Sequence, residues 1–62
     1  MRLTEEILNE YRSKVSHPHI LEMIDKLAGL ENDKYNRWVG FIQGYLWSND
    51  IYTIDEMRMH NK

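Results

Sequence analysis

The stretch that decides the fold is Arg37-Trp38-Val39-Gly40-Phe41-Ile42-Gln43-Gly44-Tyr45-Leu46-Trp47. It gathers much of the aromatic content of the chain, and two of its three glycines, into a short segment. On a helix of about 100° per residue, one broad arc collects Tyr35, Trp38, Val39, Phe41, Ile42, Tyr45 and Leu46. Such an arc is the core face of an amphipathic helix, and the segment therefore predicts a central helix that is covered on two sides.

The two glycines of this segment fall on the other side of the predicted helix. Gly40 and Gly44 lie one turn apart there, together with Arg37 and Trp47. Each glycine costs a helix about 1 kcal/mol relative to alanine, so the pair indicates close approach by another helix or by a ligand. Arg37 and Gln43 interrupt an apolar run that is far too short for a membrane span. Two interpretations stay open: this face is covered within the monomer, or it meets a second chain.

Length and composition restrict the class of protein. The 62 residues suffice for one small domain, and the absence of cysteine excludes a disulfide. A chain of this size is marginally stable alone, so well-packed helices or self-association must stabilise it. The net charge of −2, with both signs mixed along the chain, argues against non-specific binding of nucleic acid. The N-terminus has no apolar signal core, so secretion is not expected.

The spacing of apolar residues predicts four helices, over residues 4–16, 18–29, 33–48 and 54–60. Thr4 is the expected N-cap of the first helix, because its side chain can accept from the first turn. Pro18 disfavours helical geometry at the preceding residue and is itself a good first residue for the second helix. Gly29 is the expected terminator of that second helix.

The C-terminal half gives the remaining boundaries. Asn32 or Asp33 is expected to cap the third helix, and Ser48-Asn49-Asp50 predicts a turn after it. Thr53 and Glu56 have the spacing of a capping box at the start of the fourth helix. We therefore expect an all-α fold, a small bundle of three to four helices with the third helix central.

No combination of residues indicates catalysis. His17 and His19 flank Pro18, but a zinc site needs three or four ligands and no third ligand lies near in sequence. The carboxylates are spread over every element, and no pair of them has a neighbour that would shift a pKa for acid–base chemistry. The chain also lacks a Ser–His–acid order, a glycine-rich phosphate loop and a nucleophile elbow. We expect a protein that is not an enzyme and needs no metal or cofactor.

The best candidates for a binding surface are Arg37, Trp38, Phe41 and Trp47. An arginine beside exposed aromatic rings can hold a phosphate while the rings stack on bases. The simpler interpretation places Trp38 and Phe41 in the core and leaves Arg37 extended along the surface or paired with Asp33. Trp47 lies off the core arc, so it is predicted to face a partner, the fourth helix or a ligand.

Two segments of the C-terminal half share one pattern: residues 34–47 read KYNRWVGFIQGYLW, and residues 52–60 read YTIDEMRMH. Together they resemble a signature of small tailed-bacteriophage proteins, in which an R-W-x-G-F-x-Q-G-x-L-W helix precedes a T-x-D-E-x-R-x-H segment. The resemblance covers about half of the chain, and most such proteins have no known function. A looser similarity is to the small helical protein encoded beside the UvsW recombination helicase of T4-like phages, which implies an accessory role in DNA metabolism.

The resemblance also points to a surface. Within the signature, the positions expected outside the core are Arg37, Gly40, Gln43 and Gly44, which share one side of the third helix with Gln43 at its edge. We take these four residues, together with Trp47, as the predicted binding site.

These observations lead to the expectation of a phage-encoded protein of the host cytoplasm that acts by binding. Its expected partners are a second copy of itself and a host or phage protein, with no membrane contact. One alternative is a nucleic-acid accessory protein, whose contacts would come from Lys34, Arg37, Arg58 and Lys62 with Trp47. Another is an oligomeric sponge for a small signalling nucleotide, with Arg37 on its phosphate and an aromatic ring on its base. The last alternative is an analogy by size and context.

Overall fold

The computed structural model describes residues 2–62, which form four α-helices, a short 3-10 turn and no β-strand. The elements are α1 (Glu5–Lys14), α2 (Pro18–Lys26), the 3-10 turn (Leu27–Gly29), α3 (Asn32–Ser48) and α4 (Ile54–His60). The predicted all-α fold is confirmed. With 17 residues, α3 is about 25 Å long and nearly matches the largest dimension of the molecule, 28 Å. Helix α2 and the 3-10 turn pack directly against it, and α1 reaches it through the hydrogen bond between Tyr11 and Gln43.

The first helix begins as predicted and ends earlier. The Thr4 hydroxyl accepts a hydrogen bond from the Ile7 backbone N–H at 3.2 Å, which caps α1. At the other end, Val15 is already extended and buried, so the helix stops at Lys14, two residues short of the predicted end. An extended backbone at Val15 turns its side chain into the core and starts the short link to Pro18.

The ends of the next two helices differ from prediction by small amounts. The final turn of the predicted second helix tightens into the 3-10 turn, as helix ends often do. The N-cap of α3 is Glu31, one residue before the predicted Asn32 or Asp33. The Asn32 side-chain oxygen instead accepts from Arg2 Nη2 at 3.4 Å. The Arg2 guanidinium also lies 4.2 Å from the centre of the Tyr35 ring, so it fastens the N-terminus to the start of α3.

All four helices contribute to a single core. Its buried apolar side chains are Leu3, Leu8, Tyr11, Val15, Ile20, Ile24, Leu27, Tyr35, Ile42, Leu46, Tyr52 and Met57. Three of the seven residues in the arc predicted for α3 are fully enclosed, namely Tyr35, Ile42 and Leu46. The neighbouring helices therefore cover a narrower strip of α3 than its sequence suggests.

The placement of Phe41 in the core is wrong, because 61% of this side chain is exposed. Phe41 lies at the outer edge of the predicted arc, about 100° around the helix from Ile42. Trp38, Val39 and Tyr45, which also flank the centre of the arc, are half-buried. A wide apolar arc identifies which side of a helix is covered, but how far the cover extends depends on the neighbouring helices.

The predicted capping box at the start of α4 is confirmed. The Thr53 hydroxyl accepts from the Glu56 backbone N–H at 3.1 Å, and Glu56 Oε1 accepts from the Thr53 backbone N–H at 2.8 Å. The Thr53 N–H favours the charged carboxylate and lowers the pKa of Glu56 below its ordinary value of 4.5. The charge of Glu56 therefore helps to hold the first turn of this short helix.

This contact makes the stability of α4 sensitive to acid. A carboxyl whose pKa is lower in the folded state stabilises the fold above its unfolded pKa, and the benefit is lost as pH falls through the folded pKa. We expect the melting temperature to fall below about pH 4.5 by more in the wild type than in Glu56→Gln, which keeps an acceptor but cannot titrate. Thermal melts followed by circular dichroism between pH 7 and pH 3 measure this difference. Parallel curves for the two proteins would contradict it.

Candidate functional site

One side of α3 remains uncovered in the folded chain. We call it the exposed α3 face, and it consists of Arg37, Gly40, Phe41, Gly44 and Trp47, all of which are exposed. Trp47 is 53% exposed, close to the value for Phe41. All of these residues except Phe41 belong to the predicted binding site. Phe41, a residue predicted to lie in the core, is the additional member of this face. The prediction that Trp47 lies off the core is confirmed.

The glycines of this face have no packing role within the monomer. Apart from its chain neighbours and the adjacent backbone of α3 itself, a Cβ atom built on Gly40 or Gly44 would meet no heavy atom of residues 2–62 within 4 Å. The interpretation that another element of the same chain approaches these glycines closely is therefore wrong. The two glycines still weaken the helix by about 1 kcal/mol each relative to alanine. What they provide is a bare strip of backbone on the surface of α3.

Aromatic rings border this strip on both sides. From helical geometry, Phe41 and Trp47 stand about 120° apart around α3, with Gly40 and Gly44 between them. Two further apolar side chains, Ile54 and Met59, are exposed on α4, but charged residues alternate with them there. The exposed α3 face thus differs from an ordinary surface, on which large apolar side chains are scattered singly.

Arg37 is the charged member of the exposed α3 face. The predicted pairing with Asp33 is not observed, and Arg37 forms no salt bridge or side-chain hydrogen bond with the part of the chain that the structure describes. Other arginines are engaged internally: Arg12 with Glu5 and Asp25, at 3.0 and 2.8 Å. The guanidinium of Arg37 is therefore left to interact with solvent or with a partner.

A groove opens beside the exposed α3 face, between this helix and the start of α2. Its volume is about 500 Å³, and it is lined by His17, His19, Ile20, Phe41, Gly44, Tyr45 and Ser48. His17 is fixed as the N-cap of α2, because its Nδ1 accepts from the His19 backbone N–H at 3.2 Å. The His17 ring also meets the Tyr45 ring edge-on, with 6.0 Å between centres. These contacts give the groove a firm and mainly apolar wall.

Gln43 is not part of this surface, although it belongs to the predicted binding site. Only 9% of Gln43 is exposed, so its predicted position outside the core is wrong. Its amide and that of Asn61 exchange two hydrogen bonds: Gln43 Nε2 donates to Asn61 Oδ1 at 2.9 Å, and Asn61 Nδ2 donates to Gln43 Oε1 at 3.0 Å. Gln43 Nε2 also donates to the Tyr11 hydroxyl oxygen at 3.1 Å. Gln43 therefore joins α3 to α1 and to the residue that follows α4.

A cluster of three aromatic rings, those of Tyr11, Tyr52 and His60, adds to the contacts that Gln43 makes between the helices. The Tyr11 hydroxyl, which accepts from Gln43, also shares a hydrogen bond of 2.7 Å with His60 Nδ1. The rings of Tyr11, Tyr52 and His60 contact one another, with centres 4.8 to 5.4 Å apart. The Tyr52 hydroxyl donates to Glu10 Oε1. The sequence pattern does not predict this cluster, because its only signal is a polar residue beside the core arc of α3.

The electrostatics of this cluster do not favour acid–base catalysis. Burial raises the pKa of the Tyr11 hydroxyl above its ordinary value. Burial, followed by the hydrogen bond to Glu10, raises the pKa of Tyr52 as well. Both hydroxyls therefore keep their protons at neutral pH, and the Tyr52 hydroxyl donates its own to Glu10. This arrangement stabilises the position of α4 and leaves no activated nucleophile or base among these tyrosines.

The basic residues that a nucleic-acid interface would use are only partly free. Arg58 lies 3.6 Å from Asp55, and the Lys34 ammonium lies 5.9 Å from the centre of the Trp38 ring. The other two basic residues predicted to contact nucleic acid are Arg37, which lies on α3, and Lys62, which lies at the C-terminus. Within residues 2–62, no group of three or more His, Cys, Asp and Glu side chains is placed to hold a metal ion.

Comparisons of this chain with protein-family models, with curated proteins and with solved structures find no match. No helix in the described range, residues 2–62, has the length and apolar character needed to cross a bilayer. The exposed α3 face, the groove beside it and the charges around them are therefore the features of the chain that bear on its function.

Proposed function

We propose that this protein is a non-enzymatic interaction module that associates with itself through the exposed α3 face. The observation that carries the proposal is the pair of glycines, Gly40 and Gly44, which weaken α3 while nothing in the monomer packs against them. A second helix placed on this strip could approach the α3 backbone closely, as helices do at other Gly-x-x-x-Gly contacts. The monomer gives no packing reason for these glycines, and self-association supplies one.

The rings beside the strip give this contact its driving force. An aromatic side chain buries roughly 150–250 Å² when it is fully enclosed, so Phe41 and Trp47 each expose on the order of 100 Å². Removing that area from water stabilises a complex by about 2.5 kcal/mol per ring. Two copies contribute four such rings, against an association cost of about 4–15 kcal/mol. A weak, concentration-dependent dimer is the expected result.

The biological setting is a further part of the proposal. We place the protein in a phage-infected cell, in the host cytoplasm, where it binds a host or phage factor as well as itself. Support for this setting comes from the signature that residues 34–60 resemble. In the folded chain, the signature divides between the exposed α3 face and the contacts of Gln43 and His60 that fix α4.

A role in nucleic-acid binding is the weaker alternative. The net charge is −2, and Arg58 already pairs with Asp55. Binding of single-stranded DNA that weakens steeply with salt would favour this alternative.

The other alternative is a sponge for a small nucleotide. It would place the base against Phe41 or Tyr45 in the groove, with Arg37 near the phosphate.

The mass in solution tests the proposed function. We expect multi-angle light scattering to give a mass that rises from the monomer value of 7.6 kDa as concentration increases. In Gly44→Leu, the added Cβ has open space in the monomer and the larger side chain blocks a second helix, so this variant should stay monomeric and keep its helical spectrum. Gly44→Ala should raise the free energy of unfolding of the monomer by about 1 kcal/mol.

Gly29→Leu is the matched control, because Gly29 also has open space around a built Cβ but belongs to the 3-10 turn and not to the exposed α3 face. It should associate like the wild type. A wild-type protein that remains monomeric at every concentration would refute self-association. Loss of helicity in Gly44→Leu would instead show that the glycine face is needed for folding.

A further inference from the structure

The groove and Trp47 lie on opposite sides of the glycine strip. Around α3, the groove walls Phe41, Tyr45 and Ser48 follow one another on one side of Gly44. Trp47 projects on the other side, about 60° from Gly44. Each copy of the protein therefore carries a large exposed ring on one flank of the strip and an open apolar groove on the other.

The symmetry of a dimer decides whether these two features meet. Most homodimers are related by a two-fold axis, and the same surface then contacts itself. If the axis runs parallel to α3, the left flank of one helix lies against the right flank of its partner. If the axis is perpendicular to α3, the two helices run antiparallel, and the left flank of one then lies against the left flank of the other. Only the parallel arrangement brings Trp47 of one copy to the groove of the other.

The levels along the helix agree with the parallel arrangement. Helical side chains lean toward the N-terminus, so the Trp47 ring lies over the turn that precedes its own Cα. That turn contains Gly44 and Tyr45, which also line the groove. In a parallel pair, equivalent residues of the two copies stand at the same height. The Trp47 ring of one copy is therefore level with the groove of the other.

Groove chemistry suits an indole ring. The walls are mainly apolar, and a volume of about 500 Å³ accommodates a side chain of this size. A buried indole N–H needs an acceptor. The Ser48 hydroxyl donates its hydrogen to the Tyr45 carbonyl oxygen at 3.1 Å and accepts from Asn49 Nδ2 at 3.3 Å, which leaves one lone pair of Ser48 Oγ to accept from the indole.

We propose that two copies associate through α3 in parallel, and that Trp47 of each copy enters the groove of the other. This inference rests on the proposed self-association and specifies its geometry. Burying both indoles against both grooves removes roughly 400 Å² from water, about a quarter of a standard interface, and the contact along the glycine strip adds to it. Such a total falls at the small end of specific interfaces, so the dimer exchanges readily with monomer.

The test combines two variants that each lose one half of the contact. Trp47→Ala removes the ring, and Ser48→Lys obstructs the groove with an exposed, helix-compatible side chain. Each variant alone should associate at least about tenfold more weakly than the wild type, because both of its Trp47–groove contacts are lost. When the two are mixed, the heterodimer regains one contact between the intact ring and the intact groove. It should therefore be about tenfold tighter than either homodimer.

Sedimentation equilibrium of the separate and mixed variants measures these affinities. Ser13→Lys is the matched control, because Ser13 is also exposed on a helix and donates to the Glu10 carbonyl at 2.7 Å. It should associate like the wild type. A mixture whose affinity lies between those of the two homodimers would overturn the parallel arrangement and leave self-association standing. A monomeric wild type would overturn the proposed function together with this inference.

Fluorescence gives an independent measurement that does not depend on these two variants. The chain has two tryptophans, so Trp38→Phe leaves Trp47 as the sole indole. Its emission should shift to shorter wavelength as concentration rises and the ring leaves water. In a Trp38→Phe, Ser48→Lys double variant, the shift should require at least about tenfold higher concentration. An emission maximum that stays constant while the mass doubles would overturn the placement of Trp47.

Discussion

Tyr11→Ala is expected to remove a large part of the stability of the protein. Tyr11 is fully buried, and its ring contacts those of Tyr52 and His60. Truncating a buried aromatic side chain costs about 3–5 kcal/mol. A domain of this length has a total stability of roughly 3–9 kcal/mol, so the loss is comparable with the whole. Urea denaturation followed by circular dichroism at 222 nm measures the free energy of unfolding for variant and wild type.

A more conservative variant separates the ring of Tyr11 from its hydroxyl. Tyr11→Phe keeps the packing but removes the hydroxyl that is hydrogen-bonded to Gln43 and His60, at a cost of about 1–2 kcal/mol. Tyr45→Phe is the control at a half-buried tyrosine of α3 and should change the stability by less than about 0.5 kcal/mol. If Tyr11→Phe were as stable as the wild type, the hydroxyl network would not contribute to the fold.

Gln43→Leu is the second substitution with a large expected effect. It removes both bonds to Asn61 and the bond to the Tyr11 hydroxyl, and it should lower the free energy of unfolding by about 1–3 kcal/mol. The damage should be concentrated in α4. This helix has only seven residues and cannot persist without its contacts to the rest of the protein. Relative to the wild type, hydrogen exchange resolved by residue should accelerate more at the α4 amides than at those of α1–α3.

Asn36→Leu provides the matched control for this prediction. It makes the same change from a polar amide to leucine on the same helix, but at an exposed position. Its effect on the free energy of unfolding should stay within about 0.5 kcal/mol, with no change in α4 exchange. Uniform acceleration of exchange across all helices in Gln43→Leu would show that Gln43 supports the whole core rather than the docking of α4.

The predictions for Gln43→Leu and Gly44→Leu separate the roles of two neighbouring positions on α3. Gln43 and Gly44 are adjacent in sequence, yet one is enclosed and the other is bare. Changes at Gln43 should therefore act on stability, whereas changes at Gly44 should act on association. The polar cluster around Tyr11 fixes α4 along one border of the exposed α3 face. Docking of α4 is thus a condition for presenting that face in a fixed shape.

Much of the candidate site follows from helical geometry, and the errors have a common cause. The periodicity of α3 places Arg37, Gly40, Gly44 and Trp47 opposite the core, and all four are exposed. It fails at Phe41 and Gln43, which lie on opposite borders of the core arc. Phe41 is apolar and left uncovered, whereas Gln43 is polar and covered. Residue type at such a border does not reveal whether another element lies above it.

The sequence by itself determined the local features of this protein. The cap at Thr4, the start of α2 at Pro18 and the capping box of Thr53 with Glu56 depend on atoms within one helical turn, so residue type and spacing suffice to predict them. Only the tertiary structure decided which flank of α3 is enclosed. That choice depends on where α4 and the N-terminus of α2 dock, through contacts such as that between Tyr11 and His60, 49 positions apart. Such contacts form between side chains distant in sequence, and no local spacing specifies them.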